Sequence, residues 1–224
     1  MTIIKEAILG FAISNNRLPC PDINFDGNED VTSIKLDNIP ANGQTTQNFS
    51  CAYEEGLIPY LSLGASQGDT WFNYIGYRVS ASFNNWSKVW RGEVDSGVLI
   101  EGKFFSLSSV GNIKVNSRGD NPSTTGVIET KFIAPIITNA AAVVISYGRN
   151  VYGAFNRADT SLNDAPPSTN ADETTNATKG VVKVSRVHTD KLGDCSDTDE
   201  SKGFCEFDDI VDWISPNILF NRLV

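Results

Sequence analysis

A short segment near the start of the chain, DINFDGNED, carries oxygen-bearing side chains at every second position. These side chains are Asp22, Asn24, Asp26, Asn28 and Asp30. The spacing, with Gly27 at the sharp turn, matches the first half of an EF-hand calcium loop. The twelfth position is Ser33, where such a loop requires a bidentate glutamate. Two interpretations stay open: a calcium site, or a polar turn in which these side chains hydrogen-bond to the backbone.

A second pattern, GASQG at Gly64 to Gly68, matches the G-x-S-x-G nucleophile elbow of hydrolases. Ser66 would be the nucleophile and His188, the single histidine, its base. The elbow needs a buried strand before the serine and a helix after it, whereas Pro59 precedes it and a strand-like segment follows. We therefore interpret the match as coincidence and predict that the protein is not an enzyme.

A second acidic segment lies near the C-terminus, with seven carboxylates from Asp194 to Asp209. We predict that this second acidic segment is a solvated surface, and a cation site is the alternative. The formal net charge of −9 repels phosphate backbones, and clustered lysine and arginine that would offset it do not occur in the sequence. Nucleic acid is therefore not an expected partner.

The four cysteines show no C-x-x-C spacing of the kind expected at zinc or redox sites. Three disulfide connectivities are possible, and we favour Cys20 with Cys51 and Cys195 with Cys205, because the cysteines fall into an N-terminal and a C-terminal pair. The first bond would bring Glu54 and Glu55 close to the Asp22–Asp30 loop, where their carboxylates could complete a calcium site. On this basis we predict calcium as a cofactor.

Disulfides persist in an oxidising compartment, so we expect an exported protein. The first 16 residues lack the basic start and cleavage site of a signal peptide, and their apolar run is too short to span a bilayer. We therefore expect that a targeting segment belongs to the full-length protein.

Apolar residues near the N-terminus follow helical spacing. Ile4, Ala7, Ile8, Phe11 and Ala12 fall on one face of a helix that ends before Pro19. Leu9 and Ile13 lie roughly 140° and 180° from Ile4 and form a second apolar stripe. That stripe either faces a partner or is buried within the same fold.

Strand-like segments dominate the rest of the chain. A polar loop is expected to about Gly56, then strands at 71–80, 102–110, 126–137, 141–148 and 181–187. The Ser-, Thr- and Asn-rich segment 156–180 is predicted to be a mobile loop, and Pro216 to break the C-terminus into two short turns.

The sequence thus predicts a single α+β domain in which one helix covers an antiparallel sheet. Residues 1–17 form the helix, 18–70 a loop region, 71–190 the sheet region and 191–224 a disulfide-bounded C-terminal region.

Several segments, in order along the chain, resemble type IV pilin-like proteins of bacteria, the minor pilins and pseudopilins. The segments are AILGFAISNNRLPCPD, GLIPYLSLG, AVVISYGRNVYGA and DDIVDWISPNILFNRLV. The resemblance implies a long N-terminal helix whose hydrophobic first half anchors the subunit in the inner membrane and then packs in the filament core. That first half, with the prepilin peptidase site, is missing here, so Ile3 to Asn16 would be the second half.

The resemblance also implies a function. The chain is expected to be a structural subunit of a type IV pilus or a type II secretion-like pseudopilus on the bacterial surface or in the periplasm. Its partners would be other pilin subunits, contacted through Leu9 and Ile13. The alternatives are a binding module at a filament tip that uses the polar segment 159–179 for adhesion, and a secreted serine hydrolase.

Overall fold

The fold was obtained from a computed structural model, which describes residues 1–35, 44–91, 98–120, 131–190, 193–199 and 201–223. Within these ranges the helices are α1 (Thr2–Asn15), α2 (Tyr60–Leu63), α3 (Ala81–Asn84), α4 (Ala171–Ala177) and α5 (Pro216–Leu223). The first six strands are β1 (Val31–Lys35), β2 (Gln44–Cys51), β3 (Glu55–Leu57), β4 (Gly76–Val79), β5 (Trp86–Arg91) and β6 (Val98–Lys103). The other strands are β7 (Ile113–Asp120), β8 (Lys131–Ala140), β9 (Ala142–Ser146), β10 (Val182–Val184) and β11 (Ile210–Ile214).

The strands form three sheets, with the orders β1-β2-β5-β6, β10-β7-β8 and β11-β9-β4-β3. All pairs are antiparallel except β10 with β7, which run parallel. The helix and sheet content agrees with the predicted α+β class. The expectation of purely antiparallel pairing is wrong at β10, because the chain crosses through α4 before it returns beside β7.

Strand β9 lies at the centre of the core, and all five of its residues are buried. Ala142 and Val144 belong to one hydrophobic cluster, whereas Val143 and Ile145 belong to another, because successive side chains of a strand point to opposite faces. The first cluster also contains Ile4, Ile8, Leu9 and Ala12 of α1.

Helix α1 ends as the sequence predicts, before Pro19. Asn16 adopts a left-handed conformation (φ 53°), and its N–H donates to the Ala12 carbonyl, a helix ending that asparagine tolerates better than most residues. The next residue, Arg17, forms two hydrogen bonds with Glu29, and its guanidinium lies 3.9 Å from the Trp86 ring centroid. These contacts fix the end of α1 to the segment that follows it.

Four sequence predictions are corrected. The region 18–70 is not only a loop, because it contains β1, β2, β3 and α2. The strand predicted at 102–110 is wrong over most of its length, because β6 ends at Lys103.

The two polar segments of the C-terminal half also differ from the prediction. The segment 156–180 contains α4, and the C-terminus forms β11 and α5 instead of two turns. Pro216 begins α5, a position that suits proline because the first helical N–H needs no partner within the helix. Part of the strand predicted at 126–137 lies outside the described residues.

Both predicted disulfides are present, Cys20 to Cys51 and Cys195 to Cys205. They join residues 31 and 10 positions apart, respectively.

Candidate functional site

The outer face of α1 carries an apolar surface. Ile3 is 79% exposed and Ile13 is 50% exposed. With 100° per residue, Ile3, Glu6, Gly10 and Ile13 all lie within an arc of about 80°. A Cβ added at Gly10 would meet no atom within 4 Å, so a neighbouring chain has room to come close to the backbone there. We call these four residues the outer α1 face.

Leu9 does not belong to this face. It is 2% exposed and lies in the same hydrophobic cluster as Ile8. The sequence assigned Leu9 to an outward stripe together with Ile13, and for Leu9 that assignment is wrong. The physical reason is that α1 contacts α2 and α5 as well as β11, so its buried arc is wider than one stripe.

The Asp22–Asp30 loop uses its oxygens as hydrogen-bond acceptors. Asp22 is fully buried and accepts N–H groups of Asn24, Phe25 and Gly27 at 2.8–3.1 Å. Burial raises the pKa of Asp22, and these three donors oppose the rise. Asp30 accepts the N–H of Ile23 at 2.7 Å.

The exposed side chains of the same loop also accept hydrogen bonds from backbone N–H groups. The Asn24 side-chain oxygen accepts the N–H of Asp26, and an Asp26 carboxylate oxygen accepts the N–H of Asn28. These are the side-chain to backbone bonds of a polar turn, whereas calcium binding at this loop stays a prediction.

Glu54 and Glu55 have other partners than the loop. The Arg78 guanidinium donates to Glu54 at 2.9 Å and to Glu55 at 2.7 Å, and the Lys183 ammonium donates to Glu55 at 2.7 Å. Glu54 and Glu55 are therefore already paired with cations, and their part in a calcium site at the loop stays a prediction.

Helix α4 is embedded in buried ionic contacts. Asp172, fully buried, accepts hydrogen bonds from Arg118 at 2.7 Å and Arg186 at 2.8 Å. Arg186 also donates to Asp197 at 3.1 Å, and its guanidinium lies 4.5 Å from the Phe207 ring centroid. Burial and the neighbouring Asp197 raise the pKa of Asp172, whereas the two arginines lower it.

Lys183 provides a second buried contact of α4. Its ammonium is fully buried and donates to the carbonyls of Asn176 and Thr178, in addition to Glu55. Two of the last carbonyls of the helix segment are thereby satisfied by a cation, which the helix dipole favours. Burial lowers the pKa of Lys183, and Glu55 opposes this.

A group of three carboxylates lies beside these ion pairs. One oxygen each of Glu173, Asp208 and Asp209 lies within 4.8 Å of the other two. Burial raises the pKa of Glu173 to about 7, and the carboxylates of Asp208 and Glu206 add to the rise. Burial, with Glu173 and Asp208 nearby, also raises the pKa of Asp209. We call Glu173, Asp208 and Asp209 the acidic trio.

An open cavity of about 510 Å³ reaches two residues of the acidic trio from the surface. Asp208 and Asp209 line it, together with Trp71, Arg149 and His188. The prediction of a solvated second acidic segment is thus wrong for Asp197 (0% exposed) and Asp209 (8% exposed). Hydrogen bonds from Arg186 to Asp197 and from Asn176 to Asp209 offset part of the free-energy cost of burying these two carboxylates.

Ser66 and His188 have different partners. The Ser66 hydroxyl donates to the Gly68 carbonyl, whereas the exposed His188 contacts Asp190 at 2.9 Å. Ser66 follows the short helix α2 and precedes an isolated bridge at Gly68, so the strand-turn-helix context of a nucleophile elbow is not found around it.

The sequence analysis overlooked Glu173, although a local signal for it exists. Asn170 and Glu173 have the spacing of a capping box, in which residues three apart bond reciprocally at a helix start. The Asn170 side chain accepts the N–H of Glu173 and donates to its carboxylate at 2.8 Å. By contrast, no local pattern marks Lys183 or Arg186, because the carboxylates that pair with them lie at least 11 residues away.

No protein-family model matches the chain, and neither a curated protein nor a solved structure matches it. Among the helices of the described residues, none is long and apolar enough to cross a membrane. The disulfides indicate an oxidising environment, extracellular or periplasmic.

Proposed function

We propose that the chain is a structural subunit of a type IV pilin-like filament, a pilus or a secretion pseudopilus, and that it assembles through the outer α1 face. The observation that carries the proposal is the division of α1 into two sides. Ile4, Ile8, Leu9 and Ala12 are buried in the domain core, whereas Ile3 and Ile13 are exposed.

Several features support this proposal beside the resemblance of the ordered motifs. Ile3 and Ile13 lie on the same side of the helix with Gly10 between them, and a small residue between two apolar ones allows a second helix to pack closely. The neighbouring Glu6 is held by Arg222 of α5 at 3.1 Å. The occupant we propose is the helix of another subunit of the same filament, with Leu9 excluded from the contact.

Charge substitutions on this face test the proposal in cells that produce the full-length protein. Burying an isoleucine contributes roughly 1.5–3 kcal/mol, so Ile3→Asp with Ile13→Asp should weaken the contact between subunits by at least about tenfold. We expect the double variant to disappear from the filament fraction sheared off the cells. The measurement is a quantitative immunoblot of that fraction, normalised to the total subunit.

A matched control is Ile136→Asp on β8, because Ile136 is 46% exposed and lies outside α1. It should enter filaments like the wild type. Equal recovery of the double variant and the wild type in the sheared fraction would contradict the proposal. Circular dichroism of each purified variant verifies that the substitutions leave the fold intact.

A binding module at a filament tip is the second candidate, and the cavity beside Trp71 favours it. Trp71 is 38% exposed and shares the cavity with Arg149, an arrangement of an aromatic ring and a cation that suits a polar ligand. The predicted adhesive segment 159–179 is only partly exposed, because α4 is buried at Asp172, Glu173 and Asn176. Loss of attachment with normal filament formation in Trp71→Ala would favour this candidate.

A further inference from the structure

The acidic trio carries more negative charge than its surroundings neutralise. Within the part of the chain that the structure describes, Glu173, Asp208 and Asp209 form no salt bridge within 4.0 Å, whereas Asp172 and Glu55 each contact two cations. Two nearby cations pair with other carboxylates: Lys183 with Glu55, and the exposed Arg149 with Glu206 and Asp190. Burial raises the pKa of Asp209, and Lys183 opposes this larger rise by lowering it.

Two buried oxygens of the trio have no hydrogen-bond partner. The Asp209 side chain accepts from Asn176 at 2.8 Å through Oδ2, but its Oδ1 is buried and unpaired. Asp208 likewise accepts from Arg149 and Asn150 backbone N–H groups through Oδ2, and its Oδ1 is buried and unpaired. A buried, unpaired carboxylate oxygen destabilises the folded state, because it has lost its hydrogen bonds to water and accepts none from the protein.

The geometry fits one bound ion. Oxygens that share a calcium ion at 2.3–2.6 Å lie no more than about 5.2 Å apart, and oxygens of the trio lie within 4.8 Å of one another. The cavity lined by Asp208 and Asp209 supplies access and room for water ligands. We propose that Glu173, Asp208 and Asp209 bind a hard divalent cation of the calcium class.

The chemistry of the donors selects this class of ion. All three ligands are carboxylates, which prefer calcium, magnesium or manganese over the softer metals that bind sulfur and imidazole. Calcium accepts three carboxylates with several waters more readily than magnesium, which usually takes one or two. Both oxygens of Glu173 accept hydrogen bonds, as oxygens of the Asp22–Asp30 loop do. The trio differs from that loop in the buried, unpaired Oδ1 atoms of Asp208 and Asp209. It is also independent of the proposed assembly through α1.

The test is a thermal melt of the purified chain with and without calcium chloride, together with isothermal titration for stoichiometry. At a calcium concentration about 100 times Kd, the wild-type Tm should rise by about 5–10 °C. Titration should give one ion per chain. Magnesium and manganese chloride serve as parallel probes.

Asp209→Asn is the decisive variant, because the amide has the shape of the carboxylate and its oxygen can still accept from Asn176. We expect its Tm without metal to equal or exceed that of the wild type, since an uncompensated charge is removed, and its response to calcium to vanish. If Asp209→Asn does not fold, Glu173→Gln replaces it with the same expected loss of response.

The matched control is Asp26→Asn in the Asp22–Asp30 loop, which should keep the full calcium response. Three results would overturn the inference. The first is a wild type that responds to none of the three cations. The second is an undiminished response in Asp209→Asn or in its replacement. The third is a response lost in Asp26→Asn alone, which would place the ion in the loop.

Discussion

At the scale of single residues, buried charge organises the region around α4. Asp172, Lys183 and Arg186 are charged groups whose side chains are almost completely buried, and each contacts at least one group of opposite sign. Removing one partner from such a contact leaves an uncompensated charge, which is more destabilising than the contact itself is stabilising. These residues therefore hold α4 and the adjoining cavity in place.

Asp22 has a comparable role in the loop after α1. Asp22→Ala leaves the N–H groups of Asn24, Phe25 and Gly27 without their acceptor, and we expect a loss of roughly 3 kcal/mol in the free energy of unfolding. Urea unfolding in calcium-free buffer measures it. Asp26→Ala, which removes one exposed acceptor, should lose much less. Equal losses in the two variants would show that Asp22 is not the acceptor on which the turn depends.

At the scale of elements, local patterns predicted some parts of the structure and not others. The spacing of Ile4, Ile8 and Ala12 predicted α1, because those residues repeat with the helical period. The division of the cysteines along the chain predicted both disulfides. The segment that forms α4 was predicted to be a mobile loop because its composition is polar. Its Asp172 is nevertheless buried, and it accepts a hydrogen bond from Arg118, which lies 54 residues away in the sequence. Composition contains no information about such distant partners.

The burial of Leu9 was mispredicted for a related reason. Periodicity places Leu9 on the side of α1 away from Ile4, but it does not show how many elements surround the helix. The contacts of α1 with α2 and α5 decide that question, and both elements are distant in sequence. Of the acidic trio, Asp208 and Asp209 belong to the acidic segment for which the sequence left a cation site as the alternative. Glu173 was signalled only by its capping-box spacing with Asn170.

Lys183 attaches the end of α4 to Glu55 of β3. Lys183→Met removes the cation that joins Glu55 to the carbonyls of Asn176 and Thr178, and we expect a loss of about 3 kcal/mol in the free energy of unfolding. Chemical denaturation followed by fluorescence measures the change. Lys202→Met, which removes an exposed pair with Asp194, serves as the control and should leave the midpoint unchanged. A Lys183→Met variant as stable as this control would contradict the assigned role.

At the scale of the whole molecule, the two disulfides contribute stability through the unfolded chain. Closing loops of 31 and 10 residues removes conformational entropy worth roughly 4 and 3 kcal/mol. The longer loop begins at Cys20, after the end of α1 at Asn15, and contains β1 and β2, so its disulfide joins the segment that follows the helix to the end of β2. A subunit that functions outside the reducing cytoplasm keeps both bonds.

A site-specific cross-link tests the proposed contact between the outer α1 face and another subunit. The two disulfides use all four cysteines, so Ile13→Cys introduces a single free thiol at the face. In cells that produce the full-length protein, a thiol-specific bismaleimide should join two Ile13→Cys subunits into a covalent dimer, the largest product that one free thiol per chain allows. Ile136→Cys, equally exposed on β8, should remain monomeric. No more covalent dimer from Ile13→Cys than from Ile136→Cys would contradict assembly through this face.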